Sequence, residues 1–283
     1  MKHMLFAALL FTLARPAFAC INVYGTDLQG KIMAGGAYLI GDDLVHYLTD
    51  HPGSLKWRLE KAKRARKIDT ADHQQRNDYA AVLLHLGEVN EALRILLSIE
   101  QTNPGLYATA TNLGTAYELA GDNARALQWI REGIRRNPGS HDGTEWLHVS
   151  ILIAKQALAQ DPAYFTTRSV LNMDFGDAAI PVRPAQVPLD NFHKALALEK
   201  TGQAISVQMH ERLQFVKPPD AVVGDLLFDY GNLLMLTGTM ESASVVYDLA
   251  VKYGAPRSTL AKQRKAHAQS VIKQARKRPR RGP

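Results

Sequence analysis

The sequence predicts an all-α protein, a solenoid of helical hairpins with an irregular N-terminal segment and a basic C-terminal tail. The first observation behind this prediction is a period. Three pairs of small or turn-forming residues recur 34 positions apart: Gly87 and Gly121, Ala92 and Ala126, and Pro104 and Pro138. The second is composition, because 46% of the 283 residues are hydrophobic and 22% are charged. Such values are ordinary for a globular protein, and they exclude a disordered chain, a collagen and a multi-span membrane protein.

Residues 1–19 have the three parts of a secretory signal peptide. Lys2 supplies positive charge, Leu5 to Leu13 form an apolar core of nine residues, and Ala17-Phe18-Ala19 is a small-x-small cleavage site. Nine residues are too few to cross a bilayer, which needs about 20. The segment therefore predicts export to the periplasm or to the cell envelope.

Cys20 is the only cysteine and directly follows the predicted cleavage site. This position resembles the lipobox of bacterial lipoproteins, in which the cysteine is lipidated and anchors the chain to a membrane. Such boxes usually hold Leu and a small residue where this chain has Ala17 and Phe18. Lipidation of Cys20 and ordinary cleavage that leaves a free thiol both fit these residues. One cysteine excludes a disulfide framework and a zinc site built on several cysteines.

Residues 20–72 form the N-terminal segment, whose first part, 20–53, is rich in glycine and has little helical period. We expect a short β-hairpin around Val23 to Met33. Ser54 is a candidate cap for a basic helix from Leu55 to about Ile68, in which seven Lys and Arg accompany one acid, Glu60.

Residues 73–160 contain the regular repeats. One copy spans His73 to Pro104, a second spans Tyr107 to Ser140, and 141–160 form a further helix in register. A later copy spans Gly224 to Pro256. The second copy carries the clearest set of spaced residues: Leu113, Gly114, Tyr117, Gly121, Asp122, Ala126, Ile130, Gly133 and Pro138.

The residues at these positions resemble the repeat motif of the tetratricopeptide-repeat family, whose helix-turn-helix unit is about 34 residues long. The family's Trp near the start of the repeat is replaced by Ala110 here, and its second-helix Ala by Gly133. Small residues such as Gly114 let two antiparallel helices approach closely, while Gly121 makes the turn and Pro138 ends the second helix.

The remaining segments interrupt or close the stack. Residues 161–188 contain several prolines and predict an irregular insertion. Residues 189–257 predict a degenerate helical hairpin, Leu189 to Lys200 with Gln203 to Val216, followed by the last repeat. Residues 258–283 predict a capping helix from Ser258 and a basic tail.

The chain lacks the usual catalytic motifs, such as a Walker loop, G-x-G-x-x-G, G-x-S-x-G or H-E-x-x-H. Asp174-Phe175-Gly176 matches a kinase motif without its companions and reads as a loop turn with a buried aromatic. Glu145 and His148 stand at i and i+3, with His141 one turn earlier, a spacing also found in di-iron bundles. Those sites need a second such pair, so we expect a polar patch, no catalytic residue, no metal and no cofactor. A metal-dependent enzyme is the third functional hypothesis.

The resemblance implies a binding role, because the first helix of each tetratricopeptide repeat lines a concave groove that holds a peptide or a partner helix. Trp146 and Phe228 would anchor an apolar side chain, although a core position is the alternative for Trp146. The family's chaperone-binding members use basic residues that are absent here. Carried over position by position, the groove would comprise Asn77, His85, Thr111, Asn112, Thr115, Glu118, Glu145, Trp146, Phe228 and Asn232.

Charge is concentrated at the C-terminus. The formal charge is +7, yet residues 262–283 hold nine Lys and Arg and no acid, and residues 1–19 hold two more. Removing these eleven cations leaves residues 20–261 at −4. For an exported chain the tail suits an anionic surface. The favoured hypothesis is an exported scaffold that binds a protein or peptide; the second is a cytosolic nucleic-acid- or ribosome-associated adaptor acting through this tail.

Overall fold

A computed structural model describes residues 23–35, 39–49, 60 and 72–277. The fold is all-α with one small β-hairpin. The elements in chain order are β1 (Val23–Thr26), β2 (Ile32–Gly35), α1 (Asp42–Thr49), α2 (His73–His85), α3 (Val89–Thr102), α4 (Tyr107–Leu119), α5 (Asn123–Arg136), α6 (Glu145–Gln160), α7 (Leu198–Arg212), α8 (Ala221–Thr237), α9 (Met240–Lys252) and α10 (Ser258–Lys277). Short 3₁₀ turns at Ser140–Gly143 and Tyr164–Thr166 flank α6.

Several expectations fall outside the described residues. These are the signal peptide at 1–19, Cys20, the end of the tail beyond Lys277, and, apart from residue 60, the basic helix from Leu55 to Ile68. Within the described ranges, no helix has both the length and the apolar character that a membrane crossing requires.

The β-hairpin predicted around Val23 to Met33 is confirmed. β1 and β2 pair antiparallel, with Thr26 opposite Ile32. In the turn, Asp27 Oδ1 accepts the Lys31 N–H at 2.8 Å. The Glu241 carboxylate accepts both the backbone N–H and the hydroxyl of Thr26 at 2.8 Å, so the hairpin is attached to the start of α9.

The structure contains the helices that the sequence predicts on either side of Gly87 and Gly121. Both glycines have positive φ, 80° and 83°, which only glycine adopts at little cost. Gly114 sets the approach of α4 to α5, because a Cβ there would lie 2.4 Å from Ile130 Cδ1.

The last helical pair repeats this close approach. A Cβ at Gly231 on α8 would lie 2.5 Å from Tyr247 Cε1 on α9. The two glycines and their partners are the same number of positions apart. The later copy that was predicted from Gly224 to Pro256 therefore has the same internal contact as α4 and α5.

Helices α2 to α5, here called the N-terminal region, share one apolar core. Each helix packs on the next one, and α2 also contacts α4. Leu83, Leu96, Leu113 and Ile130 lie in this core, and Leu152 of α6 completes it. Burial of such side chains is the main term that holds the stack together.

Residues 163–277, here called the C-terminal region, form a second core. α9 packs between α8 and α10, and Phe175, Phe228 and Tyr247 are buried among them. Leu147 and Ile151 of α6 belong to this core. α6 therefore packs against both regions.

The insertion at 161–188 is irregular as predicted, and Phe175 is buried at 1% exposure. Apart from the single 3₁₀ turn, its described residues form no helix or strand. Arg264 of α10 holds the insertion: it donates to the carbonyls of Phe175 and Ala178 at 3.0 Å and also to that of Gly176. The Arg264 guanidinium thus donates to carbonyls that backbone N–H groups would bond if this segment were helical.

The prediction of a helix from Leu189 to Lys200 is wrong. Asp190 Oδ1 accepts the N–H groups of Phe192 and Lys194 at 2.8 and 2.9 Å, and the Asp190 N–H donates to the Lys194 carbonyl. Such local bonds from an Asp side chain compete with helix formation. A helix begins only at Leu198, so the hairpin predicted for 189–216 has only one helix, and α7 packs instead on α1, α6 and α8.

Candidate functional site

A cleft of about 300 Å³ lies where the N-terminal region meets the end of α7. Its walls come from α2, α4, the start of α6 and residues 208–216. Six of the ten residues predicted to line a groove do line this cleft: His85, Thr111, Asn112, Thr115, Glu118 and Glu145. They come from α2, α4 and α6, which are the first helices of three of the four predicted repeats.

The α4 wall follows from helical spacing. Thr111, Thr115 and Glu118 are three or four positions apart, so they share one face of the helix. The Thr115 hydroxyl donates to the Thr111 carbonyl at 3.2 Å. Asn112 lies next to them, half-buried. A Cβ at Gly133 would lie 2.5 Å from Thr111 Cγ2, so α5 supports this face closely from behind.

The prediction that Phe228 and Asn232 line the groove is wrong. Phe228 and Asn232 have 0% exposure, because the side chains of Arg257, Arg264 and Tyr247 lie against them. The Arg257 and Arg264 guanidinium groups lie 4.6 and 5.3 Å from the Phe228 ring centroid. Asn232 Oδ1 accepts from the Tyr247 hydroxyl at 2.7 Å and from Arg264 at 2.6 Å.

Trp146 and Asn77 also lie away from the cleft. Trp146 is 9% exposed and belongs to the core of the C-terminal region, which is the alternative that the sequence left open for it. Asn77 is also 9% exposed, on α2. Neither residue is among those that line the cleft.

Glu118 is the centre of the cleft's charge network. Its carboxylate accepts from Arg212 Nη1 at 2.5 Å and Nη2 at 3.2 Å, from Lys155 Nζ at 2.6 Å and from His148 Nε2 at 2.7 Å. Burial pushes the pKa of Glu118 up, but the charge of Arg212 and the bond from His148 hold it well below its usual range. One carboxylate thereby ties α4 to α6 and α7.

Glu145 lies beside this network. One of its oxygens, Oε1, is bonded to His141 Nδ1, and Oε2 lies 3.6 Å from His148 Nδ1. Burial raises the Glu145 pKa, but the bond from His141 and the nearby His148 imidazole outweigh it and lower the pKa to about 2. Burial lowers the His148 pKa, but the bond to Glu118 and the nearby Glu145 carboxylate raise it overall above its ordinary value.

The predicted polar patch of His141, Glu145 and His148 is therefore present, with Glu145 between the two imidazoles. His141 and Asp142 have φ values of 49° and 55°, which cost free energy in residues other than glycine. This backbone places the His141 ring on Glu145. Over the described ranges, no three His, Cys, Asp or Glu side chains are grouped to hold a metal ion.

Residues 212–216 close one side of the cleft. The Phe215 ring stacks on His85, with centroids 4.5 Å apart and an interplanar angle of 17°, and it packs on the core of the N-terminal region. Sequence reasoning missed Arg212, Lys155 and Phe215. Lys155 and Arg212 contact Glu118 from 37 and 94 positions away, and Phe215 contacts the still more distant His85. No local spacing in the sequence indicates such contacts.

A second cleft is more open and lies elsewhere on the molecule. It has a volume of about 760 Å³ and is lined by α3, the turn between α4 and α5, and the end of α6. Asn90, Leu97 and Arg125 are among its residues. It provides a natural control surface.

Scanned against protein-family models, the chain matches none, and no curated protein matches it either.

Proposed function

We propose that this chain is an exported interaction protein that binds an extended peptide segment of another protein in the cleft between α2, α4, α6 and α7. In this proposal α2 to α6 form a tetratricopeptide-like solenoid. The supporting observation is that six residues, chosen from the first helices of three predicted repeats, converge on one cleft.

The chemistry of the lining suits a peptide. Asn112 and Thr115 offer hydrogen-bonding groups for a backbone, and Leu84, Leu119 and Phe215 provide an apolar wall for a side chain. Pockets that combine an apolar lining with a few placed polar groups are typical ligand sites. A volume of about 300 Å³ lies at the small end of such sites, which fits a segment of a chain better than a large cofactor.

A display selection tests peptide binding. A library of random peptides would be selected on the wild-type chain, and affinities of the enriched peptides would be measured on Thr115→Arg, which fills the cleft. We expect enriched peptides to bind the wild type and to lose at least ten-fold in affinity on the variant. Asn90→Ala, in the second cleft, is the control that leaves affinity unchanged. Enrichment of no peptide, or equal loss in both variants, would contradict the proposal.

Export and anchoring belong to the same proposal and rest on residues 1–19 and Cys20. The test is the intact mass of the natively expressed protein, from membrane and soluble fractions separately. A chain that begins at acylated Cys20 supports a membrane-anchored protein, and one that begins at unmodified Cys20 supports a free exported one. A mature chain that retains 1–19 would contradict export and favour a cytosolic nucleic-acid adaptor.

The basic end of α10 is proposed as a further contact with an anionic surface. Lys273, Arg276 and Lys277 are exposed there, and no acid follows Ser258 in the sequence. Attraction between exposed cations and anionic lipid falls off within a Debye length. Binding to anionic vesicles that weakens with salt is the expected result, and binding that salt does not change would contradict it.

A further inference from the structure

We infer that His141 and His148 form a pH-sensitive lock, here called the histidine lock, which fastens the start of α6 to α4. In the protonated state both imidazolium rings hold the buried Glu145 carboxylate, and His148 also binds Glu118 of α4. Loss of these protons as the pH rises weakens the contact and loosens the junction of the two regions. The inference goes beyond the proposed function and does not depend on it, because it concerns the chain without a peptide.

Both ring nitrogens of His148 face carboxylate oxygens. Nε2 lies 2.7 Å from Glu118 Oε2, and Nδ1 lies 3.6 Å from Glu145 Oε2. A neutral imidazole has one donor and one acceptor nitrogen, so it would turn a lone pair toward one of these oxygens, whereas an imidazolium presents an N–H to each. Glu145 Oε2 is buried and has no hydrogen-bond partner among the described residues. A proton on Nδ1 therefore stabilises an oxygen that is otherwise unbonded.

Glu145 takes its paired counter-charges from the two imidazoles. The permanent cations Arg212 and Lys155 both bond to Glu118, whereas Glu145 is paired with the two histidine rings. The Glu145 side chain is only 3% exposed. A buried carboxylate that loses its paired cation strongly destabilises the folded state. The fold therefore loses stability when the rings lose their protons.

The charged groups around His148 come from three helices. Glu118 lies on α4, Glu145 and Lys155 lie on α6, and Arg212 lies on α7. Burial and the charge of Arg212 oppose a proton on His148, but the bond to Glu118 and the nearby Glu145 carboxylate outweigh them and raise its pKa. The ring therefore deprotonates above its ordinary value of 6.5, and this event changes the contact between α4 and α6.

His141 connects the histidine lock to the solvent. Its side chain is 44% exposed. The bond to Glu145 raises the His141 pKa against the effect of burial, and the charges of Glu211 and Asp142 raise it further. The turn that carries His141 is strained, with φ values of 49° and 55° at residues 141 and 142. A charge-assisted bond weakens when its donor loses the charge, so deprotonation of His141 frees this turn to relax.

NMR of the histidine rings tests the lock on the purified wild-type chain. Ring C–H resonances would be followed between pH 5 and 10, with His73, which is exposed at the start of α2, as the internal reference. We expect His148 to titrate at a higher pH than His73. The backbone resonances of Glu118 and of residues 145–148 are expected to move with the same midpoint as His148.

The contribution to stability has a definite sign. Because the folded pKa of His148 is raised, its protonated form stabilises the fold fully below about pH 6.5, and this contribution is lost as the pH rises through the folded pKa. Urea unfolding of the wild type and of His148→Gln between pH 5.5 and 9 measures it. We expect the wild-type advantage in urea midpoint to fall by at least half over this range. His73→Gln is the control, whose difference from the wild type stays constant.

Two carboxylate variants assign the counter-charge. Glu145→Gln keeps the shape of the side chain but removes the charge between the rings, so we expect both His141 and His148 to titrate at a lower pH than in the wild type. Glu211→Gln removes a charge that acts on His141, so we expect the His141 midpoint to fall and the His148 midpoint to stay. Circular dichroism would show that both variants are folded.

Three results would overturn the inference: a His148 midpoint at or below that of His73, a wild-type advantage over His148→Gln that does not fall as the pH rises, or ring midpoints that Glu145→Gln leaves unchanged. If His148→Gln does not fold, the wild-type titration and Glu145→Gln decide. A display selection that enriches no peptide would remove peptide binding and leave the histidine lock standing.

Discussion

The N-terminal and C-terminal regions place their charges differently. In the N-terminal region the pair of Arg94 with Glu91 has side chains 68% and 44% exposed, and the more buried pair of Arg136 with Glu100 still has 9% and 17% exposed. In the C-terminal region Asp225 and Arg264 have 0% exposure. Both regions are helical and both have apolar cores, so the difference lies in what their polar groups do.

The insertion accounts for this difference. A regular helical hairpin satisfies most of its own backbone hydrogen bonds, so it needs few buried charges; Arg136, which donates to the Leu106 carbonyl at 2.8 Å, is one that the N-terminal region has. The irregular residues 163–188 leave backbone groups that need other partners. Arg264 supplies donors to three carbonyls, and Asp225 Oδ2 accepts the Val170 N–H at 2.8 Å. The fully buried charges of the C-terminal region thus supply hydrogen-bond partners to the irregular residues 163–188.

The largest expected difference in stability comes from replacing one arginine in each region. Arg264→Met removes a fully buried cation and leaves the carbonyls of Phe175, Gly176 and Ala178 and the side chain of Asn232 without this donor, so we expect a loss of about 3–5 kcal/mol in the free energy of unfolding. Arg94→Met removes only an exposed pair, so the loss is below about 0.5 kcal/mol. Urea unfolding followed by circular dichroism measures both. Similar losses for the two variants would contradict the comparison.

Glu118 tests the link between the regions. Glu118→Gln leaves Arg212 and Lys155 without a carboxylate, and we expect a loss of about 3 kcal/mol in the free energy of unfolding. Glu132→Gln, on a more exposed i,i+3 and i,i+4 pair, is the matched control, with a loss of at most about 1 kcal/mol. The same urea experiment applies. If Glu118→Gln costs no more than the control, the network does not hold the regions together.

The pH dependence of that loss has a definite sign. The pKa of Glu118 is lower in the folded chain than its ordinary value of 4.5, so its ionised form stabilises the fold. The advantage of the wild type over Glu118→Gln is therefore complete above about pH 4.5 and declines as the pH falls below it. Urea unfolding of both proteins between pH 3 and 7 measures this. An advantage that grows toward low pH would contradict the assignment.

Substitutions at the close helix crossings are expected to cause a smaller loss of stability in both regions. Gly114→Ala and Gly231→Ala each place a Cβ inside the contact distance of a neighbouring side chain, at a cost of about 1–3 kcal/mol in stability. We expect the larger loss for Gly231→Ala. The Tyr247 ring is fixed by its hydroxyl bond to Asn232, whereas the nearest atom to Gly114 is the flexible end of Ile130. Thermal unfolding ranks the two, and the reverse order would contradict this explanation.

The smallest effect is expected to be equal in the two regions. Gly87 and Gly254 both have φ of 80°, and a Cβ at either position meets nothing closer than 3.6 Å. Gly87→Ala and Gly254→Ala each then lose about 1 kcal/mol of stability, from backbone strain alone. Thermal unfolding of the two variants checks this. A difference well above that amount would show a contribution from packing.

Features that depend on neighbours in the chain were predictable. The spacing of Gly87 and Gly121 indicates both helical turns, and glycine-rich residues around Val23 to Met33 indicate the β-hairpin. The prolines in 161–188 indicate an irregular insertion. Each rests on local backbone preference, which a sequence displays directly.

Features that depend on distant contacts were not predictable. Phe228 and Asn232 stand at predicted groove positions, but the Arg257 and Arg264 side chains lie against them, and nothing in the spacing of α8 indicates these contacts. Residues 189–197 have helical composition, yet the side chain of Asp190 closes a loop. Glu118 was identified as a groove residue, but its partner Arg212 is 94 positions away.

The cleft at the junction of the two regions is the central claim, and NMR mapping of a bound peptide tests it most directly. The best peptide from the display selection would be titrated into the wild-type chain. The account predicts that the shifted backbone resonances cluster at residues 111–118, at 145–148 and at 208–216. Shifts that centre on Asn90, Leu97 and Arg125 in the second cleft would contradict it.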